Sequence, residues 1–373
     1  MQAAGAPATG AGATGAEATR FDFGSLPDGR SVPAVRLVNH HGVAASVIAY
    51  GATLQSLVLP DRTGRPADIT LGYGTPAEYL AKPQFFGASV GRYANRIAGG
   101  RFTLDGKTWR LPLNDGDNAL HGGPEGFDKT LWEILDVTSG TTASVRLGLV
   151  SPGGDQGYPG RLTVEATYSL SGADVLTIAY EARTDAPTIV NLTSHAYWNL
   201  SGEGSAGGAL GAELTIPAQT FLPTDAGSIP TGELRPVAGT PFDFRAPHVI
   251  EERVRDGADE QILLARGYDH TFVLEAGGAA SAATHLAARA ADPGSGRGFE
   301  LWTTAPGVQL YSGNSLDGTS RGKAGRAYRQ GDGFALEPQL FPDTPNQPAF
   351  GTARLDPGEV YRSLIEYRFF SGG

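Results

Sequence analysis

The sequence predicts an all-β protein: a large, layered, mainly antiparallel sandwich with few short helices. Three observations carry this. Residues 161–170 alternate without a break, Leu162, Val164, Ala166, Tyr168 and Leu170 against Arg161, Thr163, Glu165, Thr167 and Ser169. That is the pattern of a strand with one face buried. The 373 residues include 53 Gly and 25 Pro with only 18% charged residues, a composition that favours turns over helices. No segment sustains a convincing amphipathic helical period.

Taken in order, residues 1–20 are Ala/Gly-rich and predict a disordered tail. Residues 21–373 then form a single domain, since no linker or fixed-period repeat interrupts them. Apolar runs at 44–50, 53–59, 69–71 and 85–90 end at Gly or Pro and predict strands. Residues 101–110 predict a hairpin around Asp105-Gly106, the chemistry of a type I′ turn. Residues 132–137, 144–150, 161–170 and 176–180 predict further strands. So do 214–216, 271–274, 299–304, 308–311, 334–336 and 360–370. A helix is possible near 250–266, with weak periodicity.

Residues 191–200 split by period two. Asn191, Thr193, His195, Tyr197 and Asn199 fall on one side, and Leu192, Ser194, Ala196, Trp198 and Leu200 on the other. A strand here would put an uncharged polar face centred on His195 against a cleft, with Trp198 in the core. An ordinary half-buried strand is equally compatible with the alternation.

The net charge of −10 argues against nucleic acid or an anionic membrane surface as a partner. The chain has no cysteine, so disulfides, thiolate metal sites and a cysteine nucleophile are excluded. No apolar run approaches the length of a transmembrane helix, and the N-terminus lacks the basic and apolar regions of a signal peptide. The expectation is a cytoplasmic protein, or a periplasmic or secreted one if a signal peptide has been removed. None of the 7 histidines pairs at metal-ligand spacing, so no metal is expected. There is no nucleophile elbow, P-loop or dinucleotide fingerprint.

Several residues could carry chemistry. His121 precedes Gly122-Gly123, where the backbone can turn sharply and a ligand approach closely. Asn95-Arg96 pairs an amide with a guanidinium fork suited to hydroxyls or a carboxylate. Asp269 precedes a strand, where turn capping is its ordinary use. Glu337 ends an apolar run and is held extended by Pro338. A carboxylate fixed where a strand meets the stiff loop 340–346 is well placed as a general base. A structural carboxylate, a turn histidine and a surface arginine are the ordinary alternatives.

Taken together these stretches resemble the aldose 1-epimerase family. The resemblance rests on residues 91–97, Asn118-Ala119-Leu120-His121-Gly122-Gly123, residues 191–200, Tyr268-Asp269-His270, residues 307–314 and Leu336-Glu337-Pro338-Gln339. It spans about Phe21 to Phe370. It implies a galactose mutarotase-like β-supersandwich with an open sugar cleft, no metal and no organic cofactor. It implies a free monosaccharide as substrate, with the α and β anomers of aldohexoses interconverted by ring opening and reclosure. By the same resemblance Glu337 is the base at the C1 hydroxyl and His195 the acid at the ring oxygen. His121 assists them, Asn95, Arg96 and Asp269 hold hydroxyls, and Gln309 lines the site near the base. A monomer or weak homodimer is expected. Ser194 and Ala196 depart from the family's more common residues beside the histidine. Competing expectations are a glycoside hydrolase using Asp269 with Glu337, a non-catalytic sugar-binding module, and a hexose-phosphate mutarotase. The last would need more cationic charge than Arg92 beside Arg96.

Overall fold

The computed structural model describes residues 15–274 and 278–372. Most of the tail expected over 1–20 lies outside the described residues, but its last part is corrected. Ala16–Ser25 is a strand, paired with Ser31–Asn39 and bridged at Ala16 to Gly140. Only Ala16 of this strand is buried and the rest is exposed or half-buried, so its sequence carries no alternating apolar period.

Three sheets among the described residues exceed two strands, and their ladders are antiparallel. The first is a five-stranded meander, Ala16–Ser25, Ser31–Asn39, Ala44–Ile48, Thr53–Pro60 and Pro66–Asp68. The second has nine strands. Four consecutive ones run from Glu133–Thr138 to Val175–Thr184; the last pairs with the C-terminal strand Tyr361–Ser371, which in turn pairs with Arg297–Thr303. The third has six strands in the order Tyr197–Trp198, Phe334–Gln339, Gly307–Tyr311, Asp269–Val273, Thr220–Phe221 and Arg235–Pro236. One apolar cluster joins inward residues of all three sheets, including Val35 and Leu57, Val164 and Tyr367, and Trp198 and Leu336. The alternation at 162–170 is realised as alternating buried and half-buried positions. Asp105 and Gly106 turn their hairpin with both φ positive, at 51° and 74°.

The six-stranded sheet positions the chemistry. Cross-strand partners are Gln309 with Glu337, Thr271 with Gln309, and Asp269 with Tyr311. Partners share a face, so Glu337, Gln309, Thr271, Asp269 and Tyr311 lie together. Leu336, Leu310, His270, Phe272 and Trp198 face the other way. All of these but His270 belong to the apolar core.

Three expectations are refined. Residues 191–200 are not one strand: Thr193–Ser194 pairs with Ser89–Val90, and Tyr197–Trp198 pairs with Phe334–Gln339. The chain changes partners at His195, whose N–H donates to Ala88 O and whose carbonyl accepts from Gly87 N–H. All ten residues are buried, so the alternation does not separate a wet face from a dry one. Asn191 bridges Ala94 and Leu340, and Asn199 donates to Asp332 O, so neither lines the cleft. Strand 85–90 shrinks to Ser89–Val90, because Phe85 sits in a turn with φ of 59°. The helix near 250–266 is a short 3-10 turn, Ile250–Glu252, and an α-helix, Glu260–Ala265, capped by Asp259. One helix was missed, Pro76–Ala81. Its signal was present: Thr75 as N-cap, Pro at the first position and Glu78 three residues after the cap, its carboxylate accepting from the Thr75 hydroxyl and the Gly74 N–H. Among the described residues no helix is long and apolar enough to cross a membrane.

Candidate active site

A cleft of ≈ 740 Å³ opens over the polar face of the six-stranded sheet, within the size range of small-molecule sites. Of the residues singled out from sequence, Asn95, Arg96, His121, His195, Asp269 and Glu337 line it. Gln309 does not. It is 2% exposed and lies beneath Asp269, to whose Oδ1 its Nε2 donates at 2.7 Å. Thr271 Oγ1 donates in turn to Gln309 Oε1.

His195 Nε2 and Glu337 Oε1 are 3.6 Å apart, with both side chains buried. His195 is stacked between Phe85 and Tyr197, with ring centroids at 5.7 and 4.9 Å and planes within 18° and 17°. The two rings fix the imidazole plane and dry it. Burial pushes the His195 imidazolium down to about 4, opposed by its own backbone and by the charge of Asp269. Burial pushes the Glu337 carboxyl well above the usual range. The charge of Asp269 adds to that rise and Arg96 opposes it. Glu337 Oε2 and His195 Nδ1 are buried without a hydrogen-bond partner among the described residues, so neither group is tied up structurally.

His121 completes the group, its ring centroid 5.2 Å from that of His195. Its Nδ1 accepts the Asn95 N–H at 3.1 Å, and its own N–H donates to Asn95 O at 3.1 Å. This reciprocal pair joins two residues with positive φ, 51° and 65°, and places the His121 proton on Nε2. Burial holds His121 well below the ordinary imidazole range, with His195, Arg96 and Lys129 adding to the effect. His121, His195 and Glu337 offer donor atoms within 4.8 Å of one another, a set with the chemistry to hold a divalent metal as well as to move protons.

Arg96 reaches across the cleft. Its Nε donates to Asp115 Oδ2 at 2.7 Å and its Nη1 to Asp269 Oδ2 at 3.4 Å. Arg92 points elsewhere. It is 1% exposed, and its guanidinium donates to the carbonyls of Pro159 and Gly160 and to Ser151 Oγ. Sequence reasoning missed Phe85 and the outer rim at 226–228 and 264–266. Phe85 was legible only as part of an apolar run. The rim segments carry no motif.

Three buried histidines in their neutral forms make the fold acid-sensitive. His121, His195 and His270 all have depressed folded values, with His270 held down to about 3 chiefly by burial. Groups of this kind contribute stability above their unfolded value near 6.5, and that stability is lost as pH falls. Near pH 5, His195 and His270 each cost about 2 kcal/mol relative to neutral pH. Glu337 works in the opposite sense, because the folded state takes up its proton first. The net expectation is a melting temperature that falls from pH 7 to pH 5, followed by circular dichroism. A flat profile over that window would contradict the assignment of neutral buried imidazoles.

A sheet-built cleft presenting a buried carboxylate and two imidazoles, with an Arg–Asp pair beside them, defines an acid–base enzyme. The chain belongs to the aldose 1-epimerase family, whose model matches residues 33–368. It is 44% identical to the galactose mutarotase of Sus scrofa over 94% of this chain and 98% of that one. It is 41% identical to the aldose 1-epimerase of Escherichia coli K12 over 92% and 97% of the two chains. Among solved structures, galactose 1-epimerase from Lactobacillus acidophilus superposes with a TM-score of 0.83 at 32% identity, covering 96% of this chain and 99% of that one.

Proposed function

We propose that this enzyme interconverts the α and β anomers of free aldohexoses by acid–base ring opening and reclosure. The observation that carries the mechanism is the buried His195–Glu337 pair, 3.6 Å apart and facing a polar cleft. Ring opening of a hemiacetal takes one proton from the C1 hydroxyl and gives one to the ring oxygen. In the reacting form of the pair, the minor one because burial favours protonated Glu337 with neutral His195, Glu337 as carboxylate accepts the first and His195 as imidazolium donates the second. The open-chain aldehyde then faces a protonated Glu337 and a neutral His195. Burial favours that distribution in both groups. Rotation about C1–C2 presents the other carbonyl face, and the two proton transfers reverse. The pair carries one proton throughout, so no external acid or base is consumed.

Asn95, Arg96 and Asp269 would hold sugar hydroxyls, with His121 Nε2–H assisting beside His195. Gln309 fits support of Asp269 better than contact with sugar. A glycoside hydrolase needs two carboxylates free to act across a bond. Both Asp269 oxygens already accept from Gln309 and Arg96, which disfavours that reading. A phosphorylated substrate is disfavoured too, because Arg92 is spent on carbonyls and Arg96 is paired with two carboxylates. The proposal takes the described chain from Ala16 onward as one catalytic domain, working in the cytoplasm as a monomer or weak homodimer without a resident metal.

The test is polarimetry on freshly dissolved glucose, galactose and xylose, with a chelator present and the spontaneous rate subtracted. Accelerated approach to the equilibrium rotation is expected for at least one sugar. No acceleration would refute the activity, and acceleration abolished by chelation and restored by metal would refute the metal-free mechanism.

A further inference from the structure

Resting on that proposed activity, we propose that His270, which faces away from the cleft, is a positioning residue for aldose binding. Its imidazole ties the sugar-facing Asp269 to the two segments that form the outer rim.

His270 is 0% exposed and packs edge-on against Phe221 and Phe242. An imidazole among aromatic rings is costly unless both nitrogens are satisfied. Here they are. Nδ1 accepts the Asp269 N–H at 3.2 Å, and Nε2 lies 3.0 Å from Gln261 Oε1. The Gln261 amide is itself oriented without ambiguity, because its Oε1 accepts the Thr224 N–H at 2.7 Å and its Nε2 donates to Thr224 O at 3.1 Å. Oε1 is therefore an acceptor, His270 Nε2 must carry the proton, and Nδ1 is left free for Asp269. Only the neutral Nε2–H tautomer satisfies every partner.

The connections place this residue where it can matter for binding. Gln261 lies in the helix Glu260–Ala265, whose C-terminal end leads into the rim residues 264–266. Thr224 leads into the rim residues 226–228, where Asn118 Nδ2 also donates to Gly227 O. One buried side chain thus holds the backbone of Asp269 and, through Gln261, both rim segments. The Asp269 carboxylate is held separately by Gln309 and Arg96. Losing His270 loosens the frame around that carboxylate and leaves Glu337 and His195 in place.

The test is steady-state mutarotation by H270F and H270N with the aldose the wild type prefers. Phenylalanine keeps the ring volume and removes both hydrogen bonds. Asparagine keeps an acceptor near the Nδ1 position and cuts the link to Gln261. H270F should raise KM about 3–10-fold, the worth of one or two net hydrogen bonds, with kcat within about twofold and the pH profile of kcat unchanged. H270N should lie between H270F and wild type. Should H270F fail to fold, H270N decides alone: a raised KM at unchanged kcat supports the proposal, and a wild-type KM overturns it. A purely structural role would lower the melting temperature and the active fraction while leaving KM untouched, and that result also overturns it. Absence of mutarotation by the wild type, by contrast, counts against the proposed activity itself.

Discussion

Replacing Glu337 with glutamine lowers mutarotation by about 10²–10⁴-fold, the usual worth of a general base, while the preferred aldose still binds. Glutamine keeps the shape of the side chain within the strand Phe334–Gln339 and removes its capacity to accept a proton. Asn95, Arg96 and Asp269 remain to hold the sugar, so the loss falls on kcat and not on affinity. Stability should hold or rise, because a buried group that costs energy to ionise becomes permanently neutral. Those two outcomes separate the base from a structural carboxylate. A structural glutamate removed from its partner would destabilise the protein and leave the rate per folded molecule nearly intact. Single-turnover rates and equilibrium binding of a sugar analogue lacking the anomeric hydroxyl measure the two effects independently. A variant that keeps more than about a tenth of the wild-type rate falls outside the general-base range and rules Glu337 out as the base.

What made Glu337 legible in the sequence was local: an apolar run, a carboxylate and a proline that fixes the backbone. The sheet class was legible for the same reason, since alternation such as that of 162–170 is written residue by residue. The rest of the site is made by contacts between positions far apart in the chain. Nothing near Gln309 announces that it will brace Asp269 from the neighbouring strand. The resemblance implies that Gln309 lines the site near the base; it is the cross-strand partner of Glu337 and donates to Asp269, and it is not among the residues lining the cleft. His195 lines the cleft, but the polar alternation around it does not form the cleft wall. Asn191 and Asn199 hold backbone elsewhere, and the imidazole is set by Phe85 and Tyr197 on either side. Ala16–Ser25 escaped because a strand that is exposed almost throughout carries no burial period. Pro76–Ala81 escaped although its capping residues were in plain view.

Replacing His195 with asparagine should cost mutarotation a comparable factor, about 10²–10⁴-fold, and it should also change the sign of the alkaline limb. In the wild type the working pair holds one proton. Burial sends the first proton taken up to Glu337, whose value is raised, and the second to His195, whose value is lowered to about 4. Such a pair titrates as a unit, and the wild-type kcat/KM profile is a bell. Activity is lost on the alkaline side when the pair gives up its only proton, and on the acid side when it gains a second. The acid side overlaps the loss of stability expected from the buried histidines, so the alkaline side is the decisive one. In the asparagine variant no side chain delivers a proton to the ring oxygen, and the residual reaction relies on Glu337 as base with water as acid. That residual rate needs only an ionised Glu337, so it should rise with pH through the raised Glu337 value and then level off. The wild type falls over the same interval. Spontaneous mutarotation is base-sensitive and must be subtracted at each pH. A variant whose profile still falls on the alkaline side would show that the proton lost there was never the one delivered by His195, and the acid would have to be sought at His121.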